Sequence, residues 1–322
     1  MAAAPLSRSA PVRGTAYLIS NFSPDPRSLT PDSKRMDMIK KIDLHMHTTI
    51  SDGTSSPGEI ITEVRNAGID LFSVTDHDAF VSCVMIRTLL TENDPSFING
   101  VEFSCKDEIG KYHILGYGYD AETPEIRSIV KKGHDRRMEK LALRLDLLKQ
   151  KYNIVFSDED VSILYGNNNP GKPHIAKVMV KYGYAQSIGD AFKRFLSHLS
   201  VRDEYIRPEQ AIEAILRSGG IPVLAHPVYG SGEELFLGME LEERVQRLIG
   251  FGLQGVEAYY SDFTLKMQDE TLGLAEKYGL YVTAGSDYHG SNKKIILGNN
   301  HLDDLREGPE GLQRFLADVR RG

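Results

Sequence analysis

Five histidines, His45, His47, His77, His226 and His289, stand at or just beyond the C-terminal ends of strand-like segments, and Asp52, Asp76, Glu102 and Asp287 occupy similar positions. In α/β barrels and open sheets that end carries the active site. Side chains alternate along a strand, so His45 and His47 point to one side and can bind one cation together. A lone pair of this kind also fits half-buried structural histidines. The further imidazoles and carboxylates at other strand ends shift the balance towards a metal centre. A mixed set of these donors suits Mn²⁺, Fe²⁺ or Zn²⁺ better than Mg²⁺ or Ca²⁺. His113, in the second arm of an expected hairpin, reads by itself as a strand-face histidine.

These residues need a scaffold that brings strand ends together. Strand signals over 41–48, 70–78 and 96–105 alternate with helix signals, and a second hairpin arm follows at 111–120. Residues 121–206 are almost wholly helical in period, with Leu141, Leu145 and Leu148 on one apolar stripe. Alternation then resumes, with strands over 221–227, 255–261 and 281–290 and a last helix near 309–320. The pattern predicts an α/β fold, a parallel sheet or barrel with helices outside. Its two parts are residues 38–120 and 207–322, and 121–206 form an inserted helical subdomain. Residues 1–37, rich in Ala, Pro, Ser and Arg without hydrophobic period, read as a disordered leader, with Met36 or Met38 as alternative starts.

A length of 322 residues is enough for a substantial core. The net charge of −7 gives no general attraction to a polyanion, so a phosphorylated substrate must be held by local cations and bound metal. Cys83 and Cys105 lack metal-type spacing and read as free core thiols, in keeping with a reducing cytosol. No apolar run reaches the roughly 20 residues of a membrane span, and the first residues lack the apolar stretch of a signal peptide. The expected location is cytoplasmic, with no membrane and no obligate protein partner.

The run from Asp43 to Thr48, followed by Ser51, Asp52 and Gly53, resembles the opening motif of the PHP (polymerase and histidinol phosphatase) superfamily. Thr75 to Asp78, Gly100 to Glu102, His113, Ala225 to Pro227 and Gly285 to His289 resemble its later motifs, in the same order. Within that superfamily, the helical insertion with Phe192 to Leu196 and Gly171 to His174 is similar to the TrpH/YciV-type branch, which includes nucleoside 3′,5′-bisphosphate phosphatases. The resemblance implies a distorted seven-stranded (β/α) barrel of PHP type and a site for two or three divalent ions, with Mn²⁺ expected and Fe²⁺ or Zn²⁺ as alternatives. It places His45, His47, Glu102 and Asp287 on a first metal, Glu102 with His113 and His226 on a second, and Asp52, His77 and His289 on a third. Six imidazoles and three carboxylates would offset about half the charge of three divalent ions, leaving a pocket that attracts a phosphate dianion. A metal-bridged hydroxide would attack phosphorus, with no protein nucleophile. Asp43 and Asp78, each near a ligand histidine, are expected to orient imidazoles from behind.

The substrate side is less determined. Lys172 stands where related enzymes usually carry arginine, so a point charge replaces a bidentate fork. His174 fits either a substrate contact or a surface residue at a helix start. The segment 197–210 departs from the relatives' Gly/Lys/Pro-rich loop; Arg202, Tyr205 and Arg207 either replace its contacts or serve a different substrate. The basic cluster from Lys131 to Arg137 reads as an outward face able to steer a short oligonucleotide, and the acidic residues Glu233, Glu234, Glu240, Glu242 and Glu243 read as a solvated face. His134, His198 and His301 read as solvated surface groups.

The leading expectation is a metal-dependent phosphoesterase acting on a phosphomonoester, a nucleotide or nucleoside 3′,5′-bisphosphate, extending to short RNA 5′ ends. The alternatives are a histidinol-phosphate-type phosphatase, an amidohydrolase-type hydrolase and a non-catalytic PHP module. Amidohydrolases commonly carry a strand-end lysine that this sequence lacks, and non-catalytic modules lose ligands that are all present here.

Overall fold

The structure, a computed structural model, describes residues 39–167, 169–199, 205–229, 234–302 and 304–320. The expected leader lies outside these residues, as do Arg202 and Glu233.

Seven strands form one sheet in chain order: β1 (Ile42–Asp43), β2 (Leu71–Val74), β3 (Ser96–Lys106), β4 (Lys111–Tyr117), β5 (Ile221–Leu224), β6 (Gly255–Tyr260) and β7 (Tyr281–Gly285). All neighbours are parallel except β4, which runs antiparallel to both β3 and β5. Past Asp43 the chain is bonded on both sides. Leu44 N donates to Ala284 O at 2.9 Å, His47 N to Tyr288 O at 2.8 Å, and Thr75 N to Met46 O at 2.9 Å. These bonds bring the sheet edges together in a nearly closed, distorted (β/α) barrel, as the alternating pattern and the PHP resemblance led one to expect. Strands β2, β5 and β6 are buried along their whole length, the mark of strands covered on both faces.

Helices α1 (Pro57–Asn66) and α2 (Val81–Leu89) follow the first two strands. The α1 start is set by Pro57 in the first turn and a reciprocal cap between Ser56 and Glu59. Between β4 and α7 (Pro208–Arg217) lie α3 (Pro124–Tyr152), α4 (Asp158–Gly166), α5 (Lys172–Lys181) and α6 (Ile188–Arg194). Helices α8 (Met239–Ile249), α9 (Leu265–Tyr278) and α10 (Glu310–Asp318) complete the described chain. Among the described residues no helix is long and apolar enough to cross a membrane.

Helix α3 has 29 residues and is about 44 Å long. Its first turns bury Ile126, Ile129 and Val130 in the barrel cluster; its later turns bury Leu141 and Leu148 in a second cluster with Phe156, Ile175 and Met179. One rod thus carries two apolar faces, and Leu145 packs against the second. Where α3 crosses the barrel rim, Gly133 lies against Asp78, and an added Cβ would come within 2.7 Å of the Asp78 Cβ. One turn on, Arg137 Nε donates to Asp78 Oδ2 at 2.6 Å and its Nη2 to Ser104 Oγ at 2.9 Å. Glycine inside an open helix is about 1 kcal/mol less favourable than alanine. Here the close approach reverses that preference. Gly133→Ala is expected to lower stability by about 1–3 kcal/mol, read as a lower thermal midpoint; a rise would show that α3 does not press on the rim.

Candidate metal centre

Nine side chains converge at one end of the barrel. His45 and His47 follow β1 and alternate as the extended backbone requires; both are fully buried. Glu102 sits within β3 and forms a bridge with His77 beyond β2, His113 comes from β4, and His226 follows β5. Asp287 and His289 follow β7, and Asp52 comes from the loop before α1. Gly285 permits the closest approach, because a Cβ there would fall inside the His45 side chain and the Glu257 carboxylate.

Glu102 is the hub. Its Oε2 lies 3.4 Å from His45 Nε2, 3.1 Å from His47 Nε2 and 3.1 Å from His77 Nδ1. Its Oε1 lies 2.8 Å from His113 Nδ1 and 3.4 Å from His226 Nε2. Asp287 Oδ1 faces His47 Nε2 at 3.3 Å and His45 Nε2 at 3.5 Å. Asp52 faces His289 Nε2 at 3.3 Å and His77 Nε2 at 3.9 Å. All nine expected ligands are therefore brought together. Three groups have donor atoms within 4.8 Å of one another: His45, His47 and Asp287; His77, Glu102 and His113; and His47, Asp52, His77 and His289.

The residues fit divalent cations on a direct observation. Both Glu102 oxygens, Nε2 of His45 and His47, Asp52 Oδ1 and His77 Nδ1 are buried without a hydrogen-bond partner. Buried polar atoms are ordinarily satisfied, and a cluster of orphans facing one another calls for an ion. Burial works against charging His45 and His47, but the carboxylates overcome it. Glu257, Glu102 and Asp287 lift His45 well above the usual imidazole range, and the facing carboxylates of Asp287 and Glu102 raise His47 to about 9. Burial likewise opposes the charged carboxylates, but the surrounding imidazoles, with Lys293 beside Asp287, hold Asp52, Glu102 and Asp287 well below their usual range.

The supporting groups differ in part from expectation. Asp43 does not hold an imidazole: its carboxylate accepts from His45 N, Ser286 N, Ser286 Oγ and Gly298 N, tying the β1 and β7 loops together. Asp78 is spent on Arg137 and Ser104 N. The imidazole is instead oriented by Glu257 on β6, whose Oε1 lies 2.9 Å from His45 Nδ1 and whose Oε2 accepts from His226 N at 2.9 Å. Sequence reading missed Glu257; its signal was an acid inside an otherwise apolar, buried strand. Asp76 accepts from Thr48 N, Thr48 Oγ1 and Ser51 Oγ, and Ser51 Oγ lies 3.2 Å from His47 Nδ1. Lys293, also missed, places Nζ 2.5 Å from Asp287 Oδ2, which Tyr260 OH joins at 3.0 Å. No motif marks Lys293 in the sequence.

Two of the nine converging residues hold backbone conformations that L-residues rarely adopt, His226 at φ 27° and Asp287 at φ 57°. Such positions cost about 1–3 kcal/mol each and persist where neighbours over-determine them. Here Glu257 grips His226 N, and His45 O accepts from Asp287 N at 2.8 Å.

A cavity of about 540 Å³ opens onto Asp52, His77 and His113. Lys172, at the start of α5, lines it. His174 Nδ1 accepts from Gly171 N at 3.0 Å, capping its own helix. Arg207 does not line this cavity; it pairs with Glu108 at 3.1 Å and Glu209 at 2.8 Å. The basic cluster on α3 is split: Lys131 pairs outward with Asp135, whereas Arg136 and Arg137 turn to the cavity with Lys140 and Arg144. The outward face expected for all of it therefore holds only in part, because 136, 140 and 144 share the helix side that faces the barrel. His198 and His301 are exposed, and Cys83 and Cys105 are buried free thiols.

The profile of the PHP domain matches residues 43–259. The chain belongs to the PHP domain family. It is 28% identical over 266 residues to a 5′-3′ exoribonuclease of Haemophilus influenzae, covering 82% of this chain and 95% of that protein. It is 27% identical to a phosphoribosyl 1,2-cyclic phosphate 1,2-diphosphodiesterase of Eggerthella lenta, covering 79% and 95%, and 27% identical to a 3′,5′-nucleoside bisphosphate phosphatase of Chromobacterium violaceum, covering 83% and 93%. A solved structure from Bifidobacterium adolescentis, classed as a metal-dependent phosphoesterase, superposes with a TM-score of 0.74 at 26% identity, covering 86% of this chain and 96% of that one. This PHP-family chain is accordingly a metal-dependent phosphoesterase.

Two outcomes follow from the site. The carboxylates around His45 and His47 favour their protonated forms in the cation-free protein, and metal ligation needs neutral imidazoles. Metal uptake is therefore expected to release about two protons, read by calorimetry in buffers of different ionisation enthalpy; uptake without release would contradict the raised values. Glu257→Gln keeps the shape but loses the charge behind His45 and is expected to weaken metal affinity by about 10–100-fold, measured by competition with a chelating dye.

Proposed function

We propose that this phosphoesterase hydrolyses a phosphomonoester of a nucleotide carrying a further phosphate, a nucleoside 3′,5′-bisphosphate foremost, with the 5′ ends of short RNA as an extended substrate. The observation that carries the reading is the charge of the cavity beside the metal centre. Seven lysines and arginines against two carboxylates line it among the described residues, although the chain as a whole has a net charge of −7. A single phosphate at the metals would not need that wall. From Arg136 to Arg144 the basic face of α3 runs about 12 Å, leading away from His77 and His113, and so can hold a second phosphate while the first is at the centre.

In this reading His45, His47, Glu102 and Asp287 hold one cation, Glu102 with His113 and His226 a second, and Asp52, His77 and His289 a third, with Mn²⁺ favoured over Fe²⁺ or Zn²⁺. When bound, such cations supply an activated water for in-line attack and neutralise charge on the phosphoryl oxygens. Glu102 keeps its two oxygens apart on two sets of rings, Glu257 fixes the ring of His45 and the backbone of His226, and Asp76 fixes the 48–51 loop through Thr48 and Ser51. Residues 121–206 act as a substrate cap: α3 carries the arginines, α5 brings Lys172, and Phe192 adds an apolar surface suited to a sugar or base. The names of the relatives, a bisphosphate phosphatase and an exoribonuclease among them, agree with a substrate bearing more than one phosphate.

The test is a phosphate-release screen across nucleoside monophosphates, nucleoside 3′,5′-bisphosphates, histidinol phosphate and 5′-phosphorylated short RNA, with Mn²⁺, Fe²⁺ and Zn²⁺ compared. Bisphosphates are expected to lead in kcat/KM, and equal turnover of single-phosphate esters would refute the cap reading. Arg144→Ala is expected to cost about tenfold in kcat/KM for the bisphosphate, as loss of one charged hydrogen bond does, and nothing for a monophosphate. His45→Ala and Asp287→Ala are expected to abolish release with the far-ultraviolet spectrum unchanged. Full activity of chelated protein would sink the metal assignment.

A further inference from the structure

The loop after β7 carries a cation that the ligand pattern does not call for. Lys293 follows a short 3₁₀ turn, Gly290–Asn292, that is fastened to the loop before α1: Ser291 N donates to Thr54 Oγ1 at 2.9 Å, and Asn292 Nδ2 donates to Asp52 O at 2.6 Å. Further along, Gly298 N donates to Asp43 Oδ2 at 2.8 Å. Lys293 is thus held between two tethered points.

Its ammonium meets the Asp287 oxygen that His45 and His47 leave open. Asp287 Oδ1 faces His45 and His47, whereas Oδ2 receives Lys293 Nζ at 2.5 Å. One carboxylate can therefore ligate a cation through one oxygen and keep the lysine on the other. The Lys293 side chain is 39% exposed. The residue lines two cavities. The basic one contains α3 and Lys172; a second, of about 620 Å³, lies over the rings between Glu102, His226, Tyr229 and Tyr260. Only His77, His113 and Lys293 line both, and Lys293 is the sole lysine or arginine among the described lining residues of the second. Lys293 thus stands with His77 and His113 where the two cavities meet.

We propose that Lys293 is a catalytic residue that donates to a non-bridging oxygen of the scissile phosphoryl group, placing it over the rings. The proposal rests on the phosphoesterase assignment and not on the bisphosphate reading. A compact ammonium with three donors can keep Asp287 and still reach a phosphate oxygen, whereas a planar guanidinium would be committed to the carboxylate fork. The contact strengthens as negative charge gathers on the equatorial oxygens in the transition state, so its loss falls more on kcat than on KM.

The experiment compares the metal-loaded wild type with Lys293→Ala and Lys293→Gln, and with exposed Lys294→Ala as control. Metal content is read by mass spectrometry, inorganic phosphate affinity by calorimetry, and kcat and KM with the best ester from the screen. Both Lys293 variants are expected to keep their metal, to bind phosphate at least about tenfold more weakly, and to lose about 100-fold in kcat/KM. Two results would overturn the proposal. One is phosphate affinity equal to wild type at full metal content. The other is loss of metal with phosphate binding restored by excess Mn²⁺, which would make Lys293 only a positioning residue for Asp287. If the wild type releases phosphate from no nucleotide yet its phosphate affinity depends on Lys293, the bisphosphate reading fails and this one stands.

Discussion

Everything at the barrel end depends on one buried carboxylate. Glu102 sits inside β3 with both oxygens out of solvent and without hydrogen-bond donors of fixed role, surrounded by five imidazoles. An ionised acid in such a place costs several kcal/mol unless positive charge compensates it. The rings serve only in part: His45 and His47 are held above the usual imidazole range, whereas burial drives His77 well below it. Divalent cations would resolve the conflict, and the rings are divided between the two oxygens of Glu102.

Holding that arrangement requires rigidity beyond the ligands. Glu257, Asp43 and Asp76 do not line up as donors to a cation; each instead ties together loops that would otherwise move apart. Asp43 joins the ends of β1 and β7 across the barrel seam, Glu257 joins the His45 ring to the His226 backbone, and Asp76 anchors the turn that presents Ser51 to His47. The strained φ values of His226 and Asp287 are tolerated because these bonds surround them. Pre-set geometry of this kind spares the cost of ordering ligands when a cation arrives.

Helix α3 links that centre to the substrate side. Because one unbroken helix is packed on the barrel at one end and on a separate apolar cluster at the other, its arginines are carried at a set distance from the rings. The clamp at the rim, Gly133 and Arg137 on Asp78, keeps the rod from sliding. A local concentration of positive charge on a chain of net charge −7 is an electrostatic funnel, effective over roughly one Debye length.

The sequence by itself determined which imidazoles and carboxylates gather, their order and the barrel that presents them. Strand periodicity is local: His45 and His47 share a side because they are two residues apart, and strand-to-helix alternation announces a sheet whose ends gather such residues. What only the tertiary structure decided are relations between faces far apart in the chain. Glu257 meets His45 across 212 residues, so its role is invisible until β6 lies beside β7 and β7 beside the β1 segment. Asp43 and Asp78 stand within two residues of strand-end histidines, yet their carboxylates are taken by Ser286, Gly298 and Arg137, partners that only the folded chain brings near. The same limit hid the inward turn of Arg136 and the place of Lys293. Helical spacing says which residues share a face, but only packing says what that face meets.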